Sequence, residues 1–167
     1  MKPGDHPEFF RVAPPPGTSR QSTIALDRHG VFSHDGVPIE RTSSLARALA
    51  RWVAVHPDDG LPILTNGYDW CYFAVEDAPL FVDAVLGAED GVDVRLRLFD
   101  GTEEPLVPEA LSEGADGVVY ARVRGGALEA RFTRHAQTQL APLLVGVEPS
   151  RVRVGEREAT LPPRRRT

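Results

Sequence analysis

Hydrophobic and polar positions alternate with a period of two in several short stretches and switch to a helical period in two places. "TIALD" and "VFSHDGVPI" are short apolar runs, and Asp35-Gly36 lies between two of them. An Asp-Gly pair so flanked predicts a hairpin, because both turn positions must tolerate positive φ. In "TSSLARALARWVAV", Leu45, Leu49, Trp52 and Val53 recur at i, i+4, i+7 and i+8. This predicts an amphipathic helix capped by Thr42 or Ser43 and stopped by "HPDDG" at 56–60. "LPILT" and "WCYFAV" form a second hairpin through Asn66-Gly67, and "LFVDAVLGAEDG" reads as a strand or a short helix, with Phe81, Val82, Val85 and Leu86 favouring the strand. "VDVRLRLF" alternates with Val92, Val94, Leu96 and Leu98 on one face, the mark of a half-exposed antiparallel strand.

The acidic stretch "DGTEEPLVPEALSEGADG" reads as loop. "VVYARVRGGALEARF" predicts a hairpin at Gly125-Gly126. A second helix follows from Thr133, with Ala136, Leu140, Leu143 and Leu144 in phase and a kink or restart at Pro142. "RVRVGEREATL" closes as a hairpin around Gly155-Glu156. Set side by side, "DGVPIERTSSLARALARWV" and "GGALEARFTRHAQTQLAPLLV" both run from a turn glycine through a short strand and Thr into a helix. The pattern predicts an α+β protein of two related halves, each of antiparallel strands and hairpins packed with one amphipathic helix. Residues 1–20 form a Pro-rich leader arm that Phe9 and Phe10 could dock. The halves are 21–90 and 91–162, and 163–167 is a basic tail.

Composition narrows the function classes. The 167 residues suit one domain or two small halves. No apolar run approaches the ~20 residues of a membrane-spanning helix, and the N-terminus lacks the apolar core of a signal peptide. A lone cysteine, Cys71, excludes an internal disulfide, so a cytoplasmic location is expected. Net charge is −5, with 24 acids against 19 bases, and Arg164 to Arg166 form the only dense basic run. A nucleic-acid partner is not expected, because such binding draws on a basic stripe. The tail reads as a frayed, solvated end, with tethering to an acidic partner or RNA as the alternative.

"HDGVPIER", "HPDDG", "VEDAPLF" and "LEARF" before a helix occur in that order. The combination resembles the bacterial family known as domain of unknown function 1285 (DUF1285), over about residues 20–162. Its most specific element is Val75-Glu76-Asp77-Ala78-Pro79. The chain departs from the family pattern in "TNGYDWCYF", where "NGYDW" replaces a Pro-containing segment. The resemblance implies two related α+β motifs packed together, an association with signal transduction and no established enzymatic activity.

Candidate chemistry gathers around the second hairpin. Tyr68, Trp70 and Tyr72 should share one side of a strand, either as a core face or as one wall of an apolar cleft. In the second case Asn66, Asp69 and Glu76 are its polar anchors. Adjacent Glu76 and Asp77 cannot enter one site from an extended chain. Asp77, with Pro79, therefore serves the turn, and Glu76 is the freer acid. No metal ligand set, phosphate loop or nucleophile elbow is present, and no cofactor is expected. His6, His29, His34, His56 and His135 lack metal-ligand spacing and read as structural. Three functions stay open: a small-molecule-binding or signalling accessory module, with a small ligand or signalling protein as partner; an enzyme in which Glu76 meets Asp58 or Asp59 on folding; and a protein–protein interaction domain using an exposed strand edge.

Overall fold

A computed structural model describes residues 1–166. The chain divides into two compact units, Met1–Pro79 and Leu80–Thr167. The first is built on a six-stranded sheet of β1 (Gln21–Leu26), β2 (Phe32–His34), β3 (Val37–Pro38), β4 (Val53–Val55), β5 (Pro62–Thr65) and β6 (Trp70–Val75), in the order β3-β2-β1-β6-β5-β4. Two meanders are thus joined at the centre, where β1 and β6 run parallel with Ala25 opposite Ala74 and Leu26 opposite Val75. The Asp35-Gly36 turn has positive φ at both positions, 50° and 76°, as the hairpin requires.

Helix α1 (Ser44–Trp52) starts where Ser43 accepts the Ala46 N–H at 3.1 Å. It lies against β5 but buries Ala46, Leu49 and Ala50, while Leu45 and Trp52 stay exposed. The expected face of large side chains is therefore displaced. Ala46 and Ala50, one turn apart, take the inner face with Leu49, and the helix ends early enough for Val53 to enter β4 instead of extending it.

The second unit repeats the strand order. Its sheet comprises β7 (Leu80–Leu86), β8 (Arg95–Leu98), β9 (Glu103–Pro105), β10 (Leu111–Glu113), β11 (Val119–Val123) and β12 (Leu128–Phe132), ordered β10-β11-β12-β7-β8-β9. Numbered within each unit, both sheets run third, second, first, sixth, fifth, fourth, with first and sixth parallel. The two α+β halves are similar in this respect, but the helices sit at different places. α1 joins the third strand to the fourth, whereas α2 (Arg134–Leu140) follows the sixth. The match between the two strand–helix stretches thus reflects shared helix-start grammar, Ser43 and Thr133 both capping, and not an equivalent position in the sheets. β7 pairs with β8 and β12, so the boundary drawn at residue 90 falls inside the second unit.

α2 packs on β7, where Gln139 Oε1 accepts the Val85 N–H at 2.8 Å. Pro142 restarts the chain as a 3-10 turn, Ala141–Leu143. Leu144 then leaves the helical phase for β13 (Leu144–Val147), which with β14 (Ser150–Val154) and β15 (Arg157–Thr160) forms a separate three-stranded sheet. Three further expectations need correction. The acidic "loop" contains β9 and β10, each only three residues long and too short for a visible period. Val92 lies outside β8 and is exposed. Arg164 is not frayed: its N–H donates to the Glu113 carbonyl at 2.8 Å and its Nη2 to Glu129 at 2.6 Å, leaving its side chain 8% exposed. Its guanidinium lies 3.8 Å from the Tyr120 ring centroid. No helix among the described residues is long and apolar enough to cross a membrane.

Asp100 is the most buried charged side chain of the second unit, 2% exposed, and it is fully engaged. It accepts from the Thr102 N–H and hydroxyl at 2.9 and 2.6 Å and pairs with Arg124 at 2.8 Å. Arg124 sits in the β11–β12 turn at φ 51°. Asp100→Ala leaves a cationic group without its buried partner, which costs on the order of 3–5 kcal/mol. Chemical denaturation should show that loss in the second unit, and a fall of under about 1 kcal/mol would mean the pair behaves as a surface one.

Candidate functional site

The hairpin between β5 and β6 is shaped by its own polar side chains. Asn66 Oδ1 accepts the N–H groups of Tyr68 and Asp69 at 2.8 and 2.9 Å, folding the turn over itself. Gly67 is required there. Its φ is +89°, and a Cβ would come within 2.6 Å of the Lys2 side chain, because the leader donates the Gly4 N–H to the Gly67 carbonyl.

From this turn β6 sends Trp70 and Tyr72 to one side and Cys71 and Phe73 to the other. Trp70 and Tyr72 meet edge to face at 5.2 Å, and His56 lies 5.0 Å from Trp70 and 5.6 Å from Tyr72. The leader completes the cluster: Phe10 stands 5.9 Å from Trp70, and the Arg20 guanidinium is 4.7 Å from the indole centroid while bonding Asp69 at 2.8 Å. Phe10 thus docks the arm as expected. Tyr68 is not part of the cluster; it is exposed in the turn, with Lys2 Nζ 5.5 Å from its ring. His56 follows β4 and does not end a helix. Its Nδ1 accepts the Asp58 N–H at 3.2 Å, which leaves Nε2 to face the Phe10 carbonyl at 3.4 Å.

Each acid near this cluster already has a cationic or hydroxyl partner. Asp58 is gripped by Arg11 through Nε and Nη2 at 3.0 and 2.9 Å, and this bond holds its carboxyl below the usual range. Asp59 accepts the Tyr72 hydroxyl at 2.5 Å and the Leu61 N–H at 2.9 Å, which lower its pKa. The same bond pushes the Tyr72 phenol up to about 12. Glu76 lies beyond the far end of β6, on the order of 20 Å along the strand from Trp70. It accepts the Arg28 N–H and Nε at 2.8 and 3.0 Å, and its pKa is lowered by these bonds. The fold therefore does not bring Glu76 to Asp58 or Asp59. Asp77 and Pro79 lie half-buried in the bend that follows.

The opposite side of the hairpin is concave. A cleft of about 160 Å³ is lined by Ile24 of β1, Leu49 and Trp52 of α1, Leu64 and Cys71, together with Asn66, Asp69 and Trp70. Three of the six expected ligand-binding residues meet here: Asn66, Asp69 and Trp70. The others, Tyr68, Tyr72 and Glu76, do not line it. Trp70 is 6% exposed, and its indole N–H is buried with no hydrogen-bond partner among the described residues. Leu49 and Trp52 were legible only as helix-face residues, since nothing local marks a side chain as facing a cleft. No group of three or more His, Cys, Asp or Glu among the described residues could hold a metal ion.

Two mixed six-stranded sheets of identical strand order, with few helices, define the fold class. Solved structures share it. A DUF1285 family protein from Silicibacter pomeroyi DSS-3 superposes with a TM-score of 0.66 at 17% identity, over 91% of this chain and 91% of that one. A DUF1285 family protein from Shewanella baltica OS155 gives 0.55 at 19% identity, over 70% of this chain and 87% of that one. The fold is thus that of the family whose motifs the sequence resembles. No family model and no curated protein matches the chain.

The Tyr72–Asp59 bond has a spectroscopic consequence. Tyr72 holds its proton past the ordinary value near 10, so the stability this bond contributes is present below pH 10 and lost as pH rises through about 12. For Asp59, whose folded pKa is depressed, the contribution is present above its ordinary value and is lost as pH falls through the lowered one. Absorbance titration of the tyrosinates should show one phenol moving from about 12 towards 10 in Asp59→Ala. Superimposable curves for the two proteins would show that the bond is absent in solution.

Proposed function

We propose that the protein is a small-molecule-binding accessory module of cytoplasmic signalling, and that its ligand occupies the cleft beside Trp70. The observation that carries this reading is an apolar hollow on the Cys71 side of β6, lined by Ile24, Leu49, Trp52, Leu64 and Cys71. The volume, about 160 Å³, is below the roughly 300 Å³ at which drug-sized sites begin. The ligand is therefore compact and largely apolar. The Asn66 and Asp69 oxygens that face the turn are already used by backbone N–H groups and Arg20, so they shape the rim. The cytoplasmic setting is supported by the single thiol, and the signalling role by the resemblance to DUF1285.

Both tryptophans of the chain line this cleft, so intrinsic fluorescence reports on it directly. Fractionated metabolite pools should contain a component that alters the emission and raises the melting temperature. At a hundredfold excess over Kd the stabilisation is about 2.7 kcal/mol, or roughly 5–10 °C for a chain of this size. Cys71→Met, which fills the hollow, should abolish both effects with its own fold intact. A ligand whose thermal shift survives Cys71→Met binds elsewhere, and that result would remove the cleft as the site.

A further inference from the structure

The edges of the three sheets are not alike. An edge strand presents unpaired backbone groups, and proteins blunt such edges with charge, proline or a covering segment. Here β3 carries Pro38 and β9 reads Glu103-Glu104-Pro105. β15 carries Arg157 and Glu158, and β4 is three residues running straight out of α1. β10 is covered by the C-terminal segment, whose Pro162 carbonyl accepts from the Glu113 N–H at 2.9 Å while Arg164 donates back at 2.8 Å. β13 carries neither charge nor proline and pairs with no covering segment; β4 is also uncharged, and only its three-residue length limits it. The four residues of β13, Leu144-Val145-Gly146-Val147, pair on one side only, with β14. Leu144, Val145 and Val147 are exposed, Val147 to 80%.

We propose that β13 is a strand-addition site for an extended apolar peptide that carries a basic residue. Two observations select this occupant. The β13–β14 turn opens onto a hollow of about 560 Å³ bordered by Val147, Glu148, Pro149, Glu113 and Leu161. Its charged lining is Glu113, Glu148 and Arg164, and the Arg164 guanidinium is held by Glu129, so the net field favours a cation. A peptide strand on β13 can therefore place a Lys or Arg in this hollow while its backbone completes the ladder. A second copy pairing through its own β13 would bring no basic residue to the hollow, because Leu144–Val147 carries no charge. The inference is independent of the cleft beside Trp70, which lies in the first unit.

Selection from a random heptapeptide phage library against the full chain, with Val147→Lys as the decoy, tests it. The exposure of Val147 lets that substitution block the edge without disturbing the core. Enriched peptides should alternate apolar residues around a Lys or Arg and bind Val147→Lys about tenfold more weakly. Glu113→Gln with Glu148→Gln should erase the preference for the basic residue. Failure to enrich any sequence above the decoy overturns the proposal, as does enrichment of acidic peptides. A concentration-dependent dimer that Val147→Lys dissolves would assign the edge to a second copy and equally overturn it.

Discussion

The parallel pairing of first and last strands is the constraint on which each unit rests. Antiparallel meanders form from local turns, but a parallel pair must wait for the chain between to fold and return. In the first unit that return aligns β6 on β1, with the Glu76 N–H reaching the Leu26 carbonyl at 2.9 Å. The cleft depends on the same seam, since its wall takes Ile24 from β1, Leu64 from β5 and Cys71 from β6. Removing the seam would leave two three-stranded ribbons, neither able to enclose that hollow.

Charge is handled differently in the two units. In the first, the acids that could have formed a reactive group are separated and matched: Asp58 with Arg11, Asp59 with Tyr72, Glu76 with Arg28. These pairs are substantially exposed and each contributes little to stability. Their effect is positional, since Arg11 and Arg20 bring the leader onto the aromatic cluster. In the second unit Asp100–Arg124 and Glu129–Arg164 are far more enclosed, and they pin a turn of strained φ and the C-terminal segment. Burial, and not the number of ion pairs, separates charges that orient from charges that hold.

The sequence made the hairpins legible because their turns carry unambiguous chemistry. Asp35-Gly36, Asn66-Gly67 and Gly125-Gly126 all sit at positive-φ turns. Both helix starts were legible through Ser43 and Thr133. Strands of three residues, such as β9 and β10, were not, because a period of two cannot show itself over that length. The buried face of α1 differs from the one its large apolar residues predict, because Ala46 and Ala50 are buried with Leu49 while Leu45 and Trp52 remain exposed. At the site, Asn66, Asp69 and Trp70 could be named because turn and aromatic residues crowd one short stretch. Glu76 could be named only by type. Its distance from Trp70 follows from strand rise, but its engagement by Arg28 depends on the β1–β6 seam, which no local pattern encodes.

Amide hydrogen exchange resolved by residue tests the role of the seams most directly. If the parallel pairs anchor each unit, the hydrogen-bonded amides of β1 and β6, and of β7 and β12, will exchange most slowly. Those of β3, β9 and β13 will exchange orders of magnitude faster. Protection that is highest in the outer hairpins, with β1 and β6 opening at the rate of the edges, would show that the meanders fold as independent ribbons and that the central pairing does not carry the structure.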